Sequence, residues 1–151
     1  MSSNDTDGFA PIQGDPMTDE EVEAYLRDHG VGVLALADEG RAYGVPISFG
    51  YDGDRVYFVF LRGETSQKER FAETTTRATL TTFDVSGRYE WESVVVSGTI
   101  READDDEWDA LVSAMEDNAW FPSLFSESEP MRGIAGWVLD VETATGLRNR
   151  P

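Results

Sequence analysis

The sequence predicts a mainly β fold: a six-stranded antiparallel split β-barrel with a few flanking helices. Three observations lead there. Apolar runs of strand length succeed one another between Val31 and Leu61 with only short turn signals between them. Helical periodicity is confined to a few short stretches, and the opening strands form a meander rather than a strand–helix–strand unit. Six strands in an open sheet would also leave two edges exposed, which rolling the sheet into a barrel removes.

Each element has its own local warrant. Residues 1–16 are polar, carry Gly and Pro and show no periodicity, so they are expected to form a disordered N-terminal arm ahead of one domain spanning 17–151. Thr18 and Glu21 make a capping box, with Met17 and Val22 placed for a hydrophobic staple. Val22, Tyr25 and Leu26 give the helix its apolar stripe, and Gly30 ends it. Val31 to Ala37 is a nearly continuous apolar strand, the turn DEGR follows, and Ala42 to Tyr51 is the second strand. Asp52-Gly53 signals a hairpin into a third strand, Arg55 to Leu61. Ser66 to Thr74 reads as a short helix with Phe71 inward. Strands Ala78–Phe83 and Ser93–Arg101 flank a polar turn around Ser86-Gly87. Trp108, Leu111, Val112 and Met115 then mark an amphipathic helix, residues 121–132 a loop, and Ile134–Val141 with Thr143–Leu147 the closing strand.

Charge and composition exclude several functions. The 151 residues suit one domain, and 30 acidic against 12 basic side chains leave a net charge of −18. Nucleic acid and anionic membranes would be repelled, so neither is expected as a partner. No apolar run is long enough to span a bilayer, and no signal peptide is recognised. The absence of cysteine removes disulfide and thiolate chemistry and suits a reducing, cytoplasmic setting. Abundant acid with a single lysine resembles proteins of salt-loaded cytoplasms, a halophilic signature.

Few residues could carry chemistry. His29, the sole histidine, stands at a helix C-terminus, where the dipole favours a cation. With no second histidine and no cysteine, neither a catalytic zinc nor a Ser-His triad is expected. Glu90/Glu92 and Asp104–Asp106 are acid pairs that chance supplies in so acidic a chain, and no metal site is assigned. Gly30, Gly32, Gly40 and Gly44 lack the strand–GxGxxG–helix order of a phosphate loop. Phe49, Tyr51, Tyr57, Phe58 and Phe60 alternate as core residues do.

The stretch GETSQKERF stands apart, because it holds the only lysine, Lys68. Thr65 and Ser66 offer hydroxyls at a helix start, Lys68 lies in the first turn, and Arg62 precedes them from the strand end. Two hydroxyls, two cations and a helix N-terminus make a phosphate cradle. An ordinary N-cap beside a solvent-facing lysine and arginine fits the same spacing.

The order of these pieces resembles a known family. GVLALADEGRAYGVPISFGYDGDRVYFVF is similar to the opening meander of the pyridoxamine 5′-phosphate oxidase-like, FMN-binding split-barrel family. TSQKERFAETTTRATLTTF resembles its Ser-x-Lys helix and following strand, WESVVVSGTIREADDDE its next strand and acidic helix start, and WVLDVETATGLR its closing strand. The resemblance covers about residues 18–148 and is nearest the short flavin-reductase and nitroimidazole-resistance-like members.

It implies a homodimer with FMN at the subunit interface. Pro46, Ile47, Ser48 and Phe49 would pass the ring edge with their backbone. Phe60, Leu61, Arg62, Thr65, Ser66 and Lys68 would hold the ribityl chain and phosphate. Ser93 would approach the partner's flavin, with Trp91 and Trp137 as flanking aromatics. The chain departs from the true oxidases at its end, TGLRNRP, which has no Arg-x-His. The expected function is electron transfer from a reduced nicotinamide through FMN to a small-molecule acceptor, with no catalytic side chain identified. A non-catalytic flavin module and a deazaflavin-dependent reductase are the alternatives.

Overall fold

In the computed structural model the described residues are 13–61, 67–118 and 134–149, with backbone alone for 61 and 67–69. Strands β1 (Asp15–Pro16), β2 (Val31–Asp38), β3 (Arg41–Ser48), β4 (Gly50–Tyr51), β5 (Arg55–Leu61), β6 (Arg77–Gly87), β7 (Glu90–Glu102) and β8 (Ile134–Asn149) form one antiparallel sheet. Helices α1 (Asp19–Asp28), α2 (Gln67–Thr74) and α3 (Trp108–Asn118) pack on it, α3 entered through a 3-10 turn at Asp105–Glu107.

The sheet has eight strands where six were expected. The expected second strand divides at Phe49 into β3 and β4, and Asp15–Pro16 adds β1 by pairing with Arg148 and Leu147 of β8. Residues 15–16, assigned from sequence to the arm, therefore belong to the sheet, and residues 1–12 lie outside the described part.

Strand order is β3-β2-β6-β7-β8-β5-β4, so consecutive β3 and β4 occupy opposite ends of the path. Only Phe49 separates them, and the sheet must curl to bring those ends together. The β2–β3 ladder holds up to that residue: the Phe49 N–H donates to Gly30 O at 2.8 Å, one step beyond the Val31–Ser48 pair, and the chain passes into β4 directly after it. The Phe49 ring is fully buried.

Inside the curl lie Leu34, Leu36, Val45, Phe58, Leu80, Val94 and Leu139, covered by Val22, Tyr25 and Leu26 of α1. A second cluster joins Tyr57, Val59 and Val138 to Leu111, Ala114 and Met115 of α3. Local chemistry sets the start of α1 as expected, while its end is capped by His29 in extended backbone rather than by a left-handed Gly30. Thr18 N–H donates to Glu21 Oε1 at 2.8 Å and Glu21 N–H to Thr18 Oγ1 at 3.1 Å. Strand β8 runs unbroken through the two expected segments, with a register shift that skips Glu142. Among the described residues no helix is long and apolar enough to cross a membrane.

Candidate functional site

Of the site residues expected from sequence, Pro46, Ile47 and Ser48 lie on β3, Phe60 on β5, and Phe49 between β3 and β4. Strand β4 pairs Gly50 with Tyr57 and Tyr51 with Val56. Continued backward, that register would set Ile47 opposite Phe60 and Pro46 opposite Leu61. Among the described residues the ladder stops at Gly50 instead, and β3 pairs only with β2. Proline suits such an edge, having no N–H to give to a ladder. Among the described residues, the edge of β3 away from β2 and the edge of β5 beyond Tyr57 thus carry main-chain groups unclaimed by the sheet.

Burial decides which atoms could act there. Ile47, Phe49 and Phe60 are 8, 0 and 3% exposed, so their side chains belong to the core and only their backbone could meet a ligand. Pro46 is exposed and Ser48 half-buried on the outer face. Trp137, 4% exposed, packs in the inner core beside Phe60.

Helix α2 begins shortly after β5. Its C-terminal end is fixed across the end of β2: Thr75 Oγ1 accepts from Ala37 N–H at 3.0 Å and donates to Phe71 O at 2.6 Å. Phe71 stacks on Tyr43, ring centroids 4.9 Å apart. These contacts orient the helix whose first turn carries Lys68. Arg62, Thr65 and Ser66 lie outside the described residues, as do the side chains of Leu61 and Lys68.

The outer face of the sheet is the largest feature that sequence reasoning missed. Its registers form rows of side chains across five strands. One row is Pro46, Val33, Thr81, Val95 and Thr145. On one side runs Gly44, Ala35, Thr79, Ser97 and Thr143, and on the other Ser48 with Val31, then Phe83, Ser93 and Leu147. None of these positions is charged, in a chain where 28% of residues are. Val31, Phe83 and Leu147 are 49, 62 and 44% exposed. The signal was present as a strand with both parities apolar, because Leu34 and Leu36 fill the core while Val31 and Val33 look outward.

Ser48 and Ser93 stand on this face three strand steps apart, about 14 Å at about 4.8 Å per step. One chain therefore cannot set both against the same small ring edge; two chains meeting on this face could.

Beside it, the projecting β6–β7 hairpin has a cavity of about 260 Å³ lined by Asp84, Ser86, Glu90, Trp91, Glu92 and Asn149. Arg148 clamps this end from within, 2.7 Å from Glu21 Oε2 and 2.8 Å from Glu92 Oε2. The C-terminal arginine is thus committed to two ion pairs. His29 does more than cap α1: its ring stacks on Tyr25 at 3.7 Å, Nδ1 lies 2.9 Å from Tyr25 O, and Nε2 is 3.9 Å from Asp84. Asp104, Asp106 and Glu107 lie together at the α3 entrance. The Glu107 carboxylate is taken by the Arg101 guanidinium at 2.7 and 2.8 Å, which holds its pKa down at about 2.

The family profile described as pyridoxamine 5′-phosphate oxidase matches residues 18–148. Among solved structures, the chain is similar to an FAD-binding protein from Mesorhizobium loti, at 19% identity and a TM-score of 0.73 over 92% of this chain and 100% of that one. It is also similar to a candidate 5-nitroimidazole antibiotic resistance protein from Bacteroides thetaiotaomicron, at 21% identity and 0.68 over 91% and 92%. A heme binding protein from Mycobacterium smegmatis matches at 18% identity and 0.70 over 86% and 53%. No curated protein matches the chain.

Proposed function

This chain belongs to the pyridoxamine 5′-phosphate oxidase family, and from that premise we propose that it is a flavin-dependent oxidoreductase, built as a split-barrel homodimer that shares its cofactor sites between subunits. The observation that carries the reading is the uncharged outer face with Pro46, Ser48 and Ser93 upon it, next to the unpaired edges of β3 and β5. The residues present fit a flavin. An extended ring needs main-chain donors and apolar walls, and its phosphate needs local cations in an otherwise acidic protein.

In this reading the backbone of Pro46–Phe49 lines the ring edge, and Phe60 and Leu61 contribute main-chain groups to the ribityl chain. Arg62, Thr65, Ser66 and Lys68 hold the phosphate. Ser93 comes from the partner chain, as the 14 Å row spacing asks. The apolar rows around it exclude water when two copies meet. Flavin, when bound, supplies hydride acceptance from a reduced nicotinamide and electron delivery to a small acceptor. The protein's part is to bind it, orient it and keep its surroundings dry. Haem fits these residues less well, since the sole histidine is engaged between Tyr25 and Asp84. The acidic, cysteine-free composition supports a reducing, salt-rich cytoplasm as the setting.

FMN is the cofactor favoured here, because Arg62 and Lys68 give one phosphate its counter-charge. The test is the visible absorption spectrum of the purified protein before and after adding FMN or FAD, followed by oxidation of reduced nicotinamide. Flavin bands that persist through gel filtration, and turnover above that of free flavin, support the proposal. Lys68→Ala should weaken FMN affinity about 10-fold or more, as loss of a charge-assisted phosphate contact does. A colourless protein whose melting temperature ignores both flavins overturns it.

A further inference from the structure

Resting on the dimer reading above, we propose that ionic strength controls assembly of this protein, and with it the completion of the shared flavin site. The reason lies in how charge is distributed. Each chain carries a net −18, while the three rows of the outer face carry no charged residue at all. Among the described residues the face is therefore a broad surface on which two such bodies could meet without opposing carboxylates in contact.

Yet meeting there does not remove the charge; it concentrates it around the contact. At one end Arg77 and Glu142 pair with each other and nearly cancel. The other end is different. The β6–β7 hairpin projects beyond the ends of β2 and β3 and presents Asp84, Glu90 and Glu92 on its α1 side, behind the apolar face, where Glu92 has Arg148 and Asp84 has His29 at 3.9 Å. Exposed Phe83 and Val85 on the same hairpin tie this acidic tip to the apolar face. Association would set the tip's carboxylates behind the margin of the contact, about 10 Å from the partner across the sheet, within reach of its negative field where screening is weak.

Screening decides the balance. A chain of this length has a radius of gyration of about 15 Å. At about 0.1 M salt the Debye length of about 10 Å lets much of the partner's charge be felt, whereas at 1 M it is about 3 Å and only near-contact charges interact. The apolar rows attract at either concentration, so added salt removes the opposing force. Since Ser93 serves the partner's site, the separated chain lacks that contact and leaves the flavin ring open to water. Salt would then set cofactor occupancy as well as assembly.

The experiment is sedimentation velocity of the full chain from 0.1 to 2 M KCl, with fluorescence of added FMN and far-UV circular dichroism at each step. The expected result is a folded monomer at low salt and a dimer at high salt. The dissociation constant should fall as salt is added, by on the order of 10-fold or more across the range as screening removes the repulsion, and FMN fluorescence should be quenched in step with dimer formation. Asp84→Asn with Glu90→Gln should move the transition to lower salt, which a salt effect on apolar burial alone would not do. A dimer equally tight at both ends of the range overturns the inference while leaving the shared-site function intact. A monomer at every salt that binds no FMN overturns both. Loss of the β signal in step with dissociation also overturns it, because folding, not assembly, would then be what salt controls.

Discussion

At the level of single residues, the turn between β2 and β3 shows what local chemistry does and does not optimise. Glu39 has φ +48° and Gly40 φ +80°, the left-handed pair that a tight primed hairpin turn demands. Glycine adopts this readily; glutamate does not, and asparagine does so better than most. Glu39→Asn is therefore expected to raise the unfolding free energy by about 1 kcal/mol, measured by chemical denaturation at constant salt. The next turn is arranged otherwise than its sequence suggested. Asp52-Gly53 was the expected hairpin pair, but Asp52 N–H donates to Arg55 O at 3.2 Å, leaving Gly53 and Asp54 as the loop. Asp52 acts as a cap whose Oδ1 accepts from Asp54 N–H and Arg55 N–H, while Oδ2 accepts from Tyr57. The turn was legible to within one residue. Which residue led it depended on Tyr57, a partner from the strand beyond.

Among elements, the attachment of α3 rests on one guanidinium. Arg101 of β7 reaches Glu107 at the entrance of α3 and Asp140 of β8, while Arg55 of β5 also meets Asp140. This fork holds the Glu107 carboxyl at about 2 against an ordinary 4.5, and lowers that of Asp140. Both groups are depressed in the folded state, so their contribution is present above the unfolded carboxylate range and fades as pH falls through it. The expected outcome follows for Arg101→Gln: it is destabilised near neutral pH, and the gap to wild type narrows as pH drops from 4.5 toward about 2. Thermal unfolding of both proteins over that window checks it; a gap independent of pH would show that Arg101 acts through packing alone. The helix itself was readable from Leu111 and Met115, both buried as their spacing required. Its docking was not. It lies on the bare backbone of Gly50, where a Cβ would collide with the main chain of Ala114, and a lone glycine in a strand names no partner.

For the whole molecule, the decisive feature is the uncharged face. Val33 sits in the middle row, 38% exposed, directly between Pro46 and Thr81. Val33→Asp is expected to leave the melting temperature of the isolated chain within a few degrees of wild type, because an exposed strand position carries little packing. The same change should abolish dimerisation, by burying an unpaired charge in each half of the contact. Sedimentation at high salt reads it directly. A variant that remains dimeric would move the interface elsewhere. The same substitution at Leu34, fully buried on the opposite face of the same strand, should prevent folding.

The sequence by itself determined whatever depends on near neighbours along the chain. It set the capping box of α1, the places of the turns, the strand segments, the amphipathic stripe of α3, the irregularity in β8 at Glu142, and the charge that makes the surface acidic. These follow from steric limits on φ and ψ and from periodicity, which act over a few residues. Tertiary structure alone decided three things. Strand β3 pairs with β2 and β4 with β5, so two segments joined by Phe49 alone lie at opposite ends of one strand order. Val31 and Val33 face outward rather than into a second layer. Pro46, Ser48 and Ser93 come to share a face though 45 residues of chain separate the last two. Each is a pairing between distant segments, and a strand's pattern states which residues alternate without stating what will cover either side.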